Sequence, residues 1–238
     1  MRSAITAIIF VIGLTSQAFA TSIIIVRTPT DVFIGADSKE RKGSSSEGAC
    51  KIIITGKSFW TFANVVTFPP INFDLKKIAL AFAARHGSWD DKIEALKSEI
   101  IPQIKIIVGE YRKVYKNWKE GEDVSTVAFG YFENGISHLH VIGFIPITKA
   151  GIISIYIHNA DCPGATCSPV FKLGLHEALD RMKENEIPWE KFGITGTIYY
   201  LVQTEINASP NDVGPPISIV DISNAGANWI TPGVCAPK

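Results

Sequence analysis

Thr21 directly follows Ala18-Phe19-Ala20, a triplet with small residues at both ends, and that placement opens an unusual chemical option. A cut between Ala20 and Thr21 would leave the threonine with its hydroxyl and a free α-amine. An unperturbed α-amine has a pKa of about 7.7–8.0, so much of it is neutral near physiological pH and can accept a proton. It can then take the proton of its own Oγ, directly or through one water, which puts nucleophile and base in one residue. The hydroxyl also needs a nearby cation to favour the alkoxide and keep the amine neutral. Lys51 is the candidate for that cation, and Asp37 for the carboxylate that a buried lysine needs as a partner. The chemistry calls for no cofactor and no metal. Thr21 also has a plain account as a strand-starting residue, and Asp37 with Lys51 as an ion pair beneath a sheet. The cleavage triplet before Thr21 weighs the balance toward catalysis.

Residues 1–20 read as a signal peptide. Met1-Arg2 is a short positive start, Ala4 to Leu14 is mostly apolar, and a polar segment ends in Ala-Phe-Ala. An uncleaved anchor and a cut after Ala18 are the alternatives. The expected location is therefore exported, periplasmic or secreted, with no membrane association after cleavage. Cysteine usage agrees. Cys50, Cys162, Cys167 and Cys235 form an even set. Cys162 and Cys167 can close a small loop, which leaves Cys50 with Cys235. A zinc site is the weaker rival, because Cys-x4-Cys is a loose signal and exported cysteines are usually oxidised.

Holding such a site requires a core, and the chain has the means. Of its 238 residues, 46% are apolar and 19% charged, enough to fold and too few charges for disorder. Lys plus Arg and Asp plus Glu stand at 23 each, so no basic footprint for nucleic acid is present. Thr21–Arg27 and Val32–Ala36 read as a strand hairpin around Thr28-Pro29-Thr30-Asp31, and Lys39–Ala49 as a polar loop. Ile52–Ile54 and Phe59–Ala63 form another strand pair. Leu75, Ile78 and Phe82 mark a helix, and Ile93 through Val114 a second, with Pro102 bending it. Val124–Phe132 and Ser137–Ile145 flank Glu133-Asn134-Gly135, a hairpin turn. Gly151–His158 is a further strand. Phe171, Leu175, Leu179 and Met182 predict a third helix and Ile194–Ile206 a fourth, and Ile217–Ile222 with Ala227–Ile230 close the chain as a hairpin. Two stacked antiparallel sheets with helices outside them would bury every apolar face in one domain over residues 21–238.

Thr21-Ser22 with its apolar strand and turn, Gly35-Ala36-Asp37-Ser38-Lys39, a Gly/Ser loop, Lys51 leading a strand and Phe62-Ala63-Asn64 resemble the front half of a proteasome-type N-terminal nucleophile hydrolase. The likeness is to proteasome β subunits and to the proteolytic subunit of the bacterial two-component protease. It is specific from Thr21 to Asn64 and architectural beyond. It implies an α+β, four-layer αββα sandwich with antiparallel sheets, and Thr21, Asp37 and Lys51 as the catalytic set. It also implies an oxyanion donor at the backbone N–H of Asn64, where the family has glycine. The nearest candidate to support the terminal amine is Asp212. The loop before Lys51 is slightly shorter than the family's, so Lys39 and Lys57 stay in competition with Lys51.

Other residues have blander readings. His138 and His140 share a strand face, but two ligands make a weak metal site, so no metal is expected. Asp161 reads as a loop residue, and Asn207-Ala208-Ser209 is a sequon weakened by Pro210. The leading function is hydrolysis of short peptides or small amides at Thr21. A non-catalytic proteasome-fold subunit that binds a partner or assembles a ring is the second reading, and a non-peptide amidase the third. A homo-oligomer is compatible with all of them.

Overall fold

The computed structural model describes residues 21–42, 45–56, 58–114 and 121–235. Residues 1–20, where a signal peptide is expected, and Lys57 lie outside the described residues. The chain begins with β1 (Ser22–Arg27) and β2 (Asp31–Ala36), then a small hairpin of β3 (Lys39–Lys42) and β4 (Ser45–Gly48). β5 (Ile52–Thr55) and β6 (Ser58–Asn64) follow, then the two-residue β7 (Thr67–Phe68) and β8 (Phe73–Asp74). The helices α1 (Leu75–Ala83) and α2 (Trp89–Val114) lead into β9 (Ser125–Glu133), β10 (Ile136–Lys149) and β11 (Ile152–Cys162). After β12 (Val170–Gly174) come α3 (Glu177–Asp180) and α4 (Trp189–Ala208), and β13 (Ser218–Ser223) and β14 (Gly226–Thr231) end the fold.

Two five-stranded sheets organise the chain, ordered β12-β1-β2-β13-β14 and β11-β10-β9-β6-β5, and their pairings are antiparallel. β1 is apolar on both of its faces for a reason. Ile23 and Ile25 join Val32, Ile34, Phe59, Ala128 and Leu139 in the core between the sheets. Ile24 and Val26 point the other way, into a core shared with Leu179, Ile198, Leu201 and Val202 of α3 and α4. A strand buried on both faces cannot alternate apolar with polar, so Ile-Ile-Ile-Val is what the position demands. β6 repeats the arrangement: Phe59 and Ala63 face the first sheet, while Trp60 and Phe62 pack with Leu96, Ile100 and Ile104 of α2. Asp74 caps α1 by accepting the Lys77 amide at 3.1 Å.

Two local expectations need correction. Residues 39–48 are not merely loop, since β3 and β4 pair there. The helix expected over Phe171–Met182 is instead the strand β12, paired with β1 from Ser22↔Gly174 to Val26↔Val170, followed by the short α3. The cause is arithmetic. Phe171, Leu175 and Leu179 are four apart, and four is a multiple of the strand period as well as close to the helical one. The free edge of β1 decides in favour of a strand. α2 runs through Pro102 as one helix.

Disulfides join Cys50 to Cys235 and Cys162 to Cys167. The first closes a loop of 185 residues, the second one of 5. In a chain-entropy account the long loop contributes about 5 kcal/mol and the short one about 2. Replacing Cys50 and Cys235 by Ala is therefore expected to lower unfolding stability clearly more than replacing Cys162 and Cys167. Chemical denaturation of the two double variants checks this.

Candidate active site

The first and second strands bring Thr21 and Asp37 together. Because Ile23 lies opposite Ala36, Ser22 and Asp37 come opposite each other as the ladder continues. The Asp37 amide donates to the Ser22 carbonyl at 3.1 Å, and the Ser22 amide donates to Asp37 Oδ1 at 2.8 Å. Lys51 approaches from the other sheet, immediately before β5, and its Nζ donates to the same Oδ1 at 2.7 Å. Their side chains are 8% and 0% exposed, respectively. Oδ2 accepts the amides of Lys39 at 3.1 Å and Gly214 at 3.2 Å. With these donors both oxygens of the buried carboxylate are filled, and the Lys51 ammonium lies against one of them. Lys51 is steadied in turn by Thr61, whose Oγ1 donates to its carbonyl at 2.8 Å.

Thr21 stands one peptide from this centre and is 2% exposed. Its carbonyl accepts the Leu175 amide at 2.6 Å. Gly174 packs so closely that any Cβ there would overlap the Thr21 carbonyl oxygen and lie 3.4 Å from the Ala63 side chain. With φ at 75°, Gly174 also holds a left-handed backbone that glycine adopts without strain.

The competing lysine has other work. Lys39 Nζ donates to the Pro210 carbonyl at 2.6 Å, so it is the Lys39 backbone, not its ammonium, that meets Asp37. Asn64 also takes a left-handed backbone, at φ 65°, which asparagine tolerates better than most residues. Its side chain turns to donate to the Asp123 carbonyl at 3.0 Å. Asp212 sits in the segment 210–214, which reaches the site through Pro210 and Gly214, and its amide donates to Ser209 at 3.0 Å. Sequence reasoning passes over Gly214 and Gly174, whose roles belong to the backbone and leave no side-chain signal.

His138 and His140 lie elsewhere, on the sheet face turned toward α2, stacked on Tyr131 and Phe129. Asp161 is not a loop residue. It pairs with His140 across β10 and β11, with Nδ1 2.8 Å from its carboxylate. Burial pushes the His138 imidazole below its usual range.

In its residues and element order the chain resembles the proteasome-type N-terminal nucleophile hydrolases. Two solved structures are similar to it. One is an Anbu (Gly-1) mutant from Hyphomicrobium sp. strain MC1, at 13% identity over 89% of this chain and 87% of that one, with a TM-score of 0.49. The other is Thiobacillus denitrificans BPH in complex with epoxomicin, at 15% identity over 85% of this chain and 98% of that one, also at 0.49. No family model matches the chain, and no curated protein matches it by sequence. At these identities neither neighbour specifies the chemistry of this chain.

Gly174→Ala is expected to destabilise the fold by about 2 kcal/mol or more, because it combines overlap with a strained backbone. Gly214→Ala keeps the amide that Asp37 uses and should cost less. Comparing urea midpoints of the two variants tests the assignment.

Proposed function

We propose that the chain is an exported N-terminal threonine hydrolase of the four-layer αββα kind, cleaving peptide or small-amide bonds. In this reading residues 1–20 are removed as a signal peptide, and residues 21–238 form a single catalytic domain. The observation that carries it is the Asp37 carboxylate, which binds the Lys51 ammonium and the first amide after Thr21 on one oxygen. A plain structural ion pair has no need to be coupled to the start of the first strand. The three apolar cores, one between the sheets and one under each helix pair, support the four layers. The two disulfides support an oxidising, extracytoplasmic compartment.

The mechanism follows from these parts. With Ala20 removed, the Thr21 amine takes the Oγ proton while Oγ bonds to the substrate carbonyl carbon. Lys51 favours the alkoxide and the neutral amine, and Asp37 keeps Lys51 charged and in position. The oxyanion forms near the Asn64 backbone N–H. Collapse breaks the C–N bond, and the leaving amine takes the proton held by the α-amine. Water, deprotonated by the same amine, then cleaves the ester and restores Oγ–H. The alternative is a non-catalytic subunit, and an asparagine in place of the family's oxyanion glycine speaks for it. Its force is reduced here, because Asn64 adopts the left-handed backbone and turns its side chain to Asp123.

Chains beginning at Thr21, beginning at Ala20, and carrying Thr21→Ala are to be compared with a threonine-reactive electrophile and a peptide-amide library. Only the first should be labelled, at Thr21, since one extra residue turns the base into an amide. Equal turnover by Thr21→Ala would end the catalytic reading. Lys51→Ala is expected to lower kcat by about 10²–10⁴-fold with a much smaller change in KM, because its catalytic role is confined to the transition state. Asp37→Asn should act the same way more mildly.

A further inference from the structure

Asp123 has no part in the machinery described above, yet it borders it. Its carbonyl accepts the Asn64 side chain at 3.0 Å, which ties it to the proposed oxyanion position. On the inner face of the second sheet, Ala63, Thr126, Gly143 and His158 stand side by side in successive strands. Ala63 is the end of that row beside Thr21, since a Cβ on Gly174 would meet both residues. The Asp123 carboxylate lies along the row. Its Oδ2 accepts Thr126 Oγ1 at 3.3 Å, and it rests on Gly143 so closely that a Cβ there would overlap it. Glycine at 143 is what leaves room for the carboxylate.

The carboxylate is incompletely compensated. Oδ1 is buried and has no hydrogen-bond partner. Burial pushes the Asp123 carboxyl above its usual range, offset in part by the Thr126 hydroxyl and by the fields of His158 and His176. Among the described residues, no lysine or arginine forms an ion pair with it. A half-satisfied, desolvated carboxylate costs stability unless something brings it a cation.

We infer that Asp123 is a specificity determinant of the Thr21 site, selecting substrates that carry a primary ammonium or guanidinium close to the scissile amide. The inference rests on the hydrolase reading above. A cationic group supplies the donor that Oδ1 lacks, in a charge-assisted hydrogen bond made stronger by the poorly solvated setting. A basic side chain and a free peptide N-terminus both offer that chemistry.

The test uses the protein expressed with residues 1–20 in place and purified as the cell delivers it. Fluorogenic peptide amides differ only in lysine or norleucine before the scissile bond, each with a free or an acetylated N-terminus. The wild-type protein is expected to favour a cationic member by about tenfold in kcat/KM, the free-amine and lysine arms showing which cation it reads. Asp123→Asn should reduce that ratio to within about twofold. Gly143→Ala, which displaces the carboxylate without removing it, should shift the ratio the same way. An unfolding midpoint for Asp123→Asn at or above wild type would show that the loss is not one of folding. The sign follows from the raised carboxyl: its ionised form disfavours the folded state, so a neutral isostere does not. Hydrolysis with no preference for a cation overturns the inference and leaves the hydrolase reading standing. Binding of the same peptides to Thr21→Ala, followed by fluorescence anisotropy, separates the remaining cases. Cation-dependent binding lost in Asp123→Asn upholds the site even without turnover. Neither hydrolysis nor cation-dependent binding overturns both readings.

Discussion

A carboxylate enclosed in protein costs stability unless its charge is matched and its lone pairs are filled, and Asp37 meets that condition by recruiting four parts of the chain. Ser22 comes from the first strand, Lys39 from just beyond the second, Lys51 from the approach to β5, and Gly214 from the segment before β13. The Lys51 bond crosses from one sheet to the other, so it fixes how the sheets meet at the end where Thr21 sits. Removing one partner of such a pair leaves a buried, uncompensated charge, at a cost of about 3–5 kcal/mol. The apolar cores stack the sheets without regard to direction along the strands. The ion pair adds the directional constraint.

Around that centre the backbone is fitted by residues that have little side chain or that tolerate unusual geometry. Gly174 lets β12 press against the Thr21 carbonyl, and Asn64 turns left-handed at the end of β6. Both lie where a strand of one sheet meets the edge of the other. Leu175 then donates to Thr21, so the residue has a hydrogen-bonded neighbour on the β12 side as well as a covalent link to the Asp37 network. The arrangement limits the freedom of Thr21, and in the proposed hydrolase that order would spare binding energy otherwise spent on placing it.

Legibility in the sequence followed physical cause. β1, β2, β5 and β6 could be read as short β-branched and aromatic runs bounded by turn residues, and α2 because Ile93 through Val114 keeps a 3/4 spacing. β12 could not, since Phe171, Leu175 and Leu179 satisfy both periods and only the vacant edge of β1 settles the matter. At the site, Thr21, Asp37 and Lys51 announce themselves through side-chain chemistry. Gly214 and Gly174 do not, because they act through an amide and through a missing Cβ. Asp161 reads as loop until its strand is seen to extend to Cys162, beside His140. Asp123 carries no motif at all, and its setting depends on a register between strands that no local pattern encodes.

The bond from Gly214 to Asp37 spans 177 residues, and the bridge from Cys50 to Cys235 spans 185. Contacts of such range cannot form until synthesis has passed Gly214 and Cys235, and they are slow to find. During synthesis, therefore, the carboxylate waits with part of its coordination unfilled while the middle of the fold assembles around it. Thr21, early in the sequence, is among the last residues to receive its finished surroundings. Assembly of the Asp37 centre is thus coupled to synthesis of the segments that carry Gly214 and Cys235 by geometry alone.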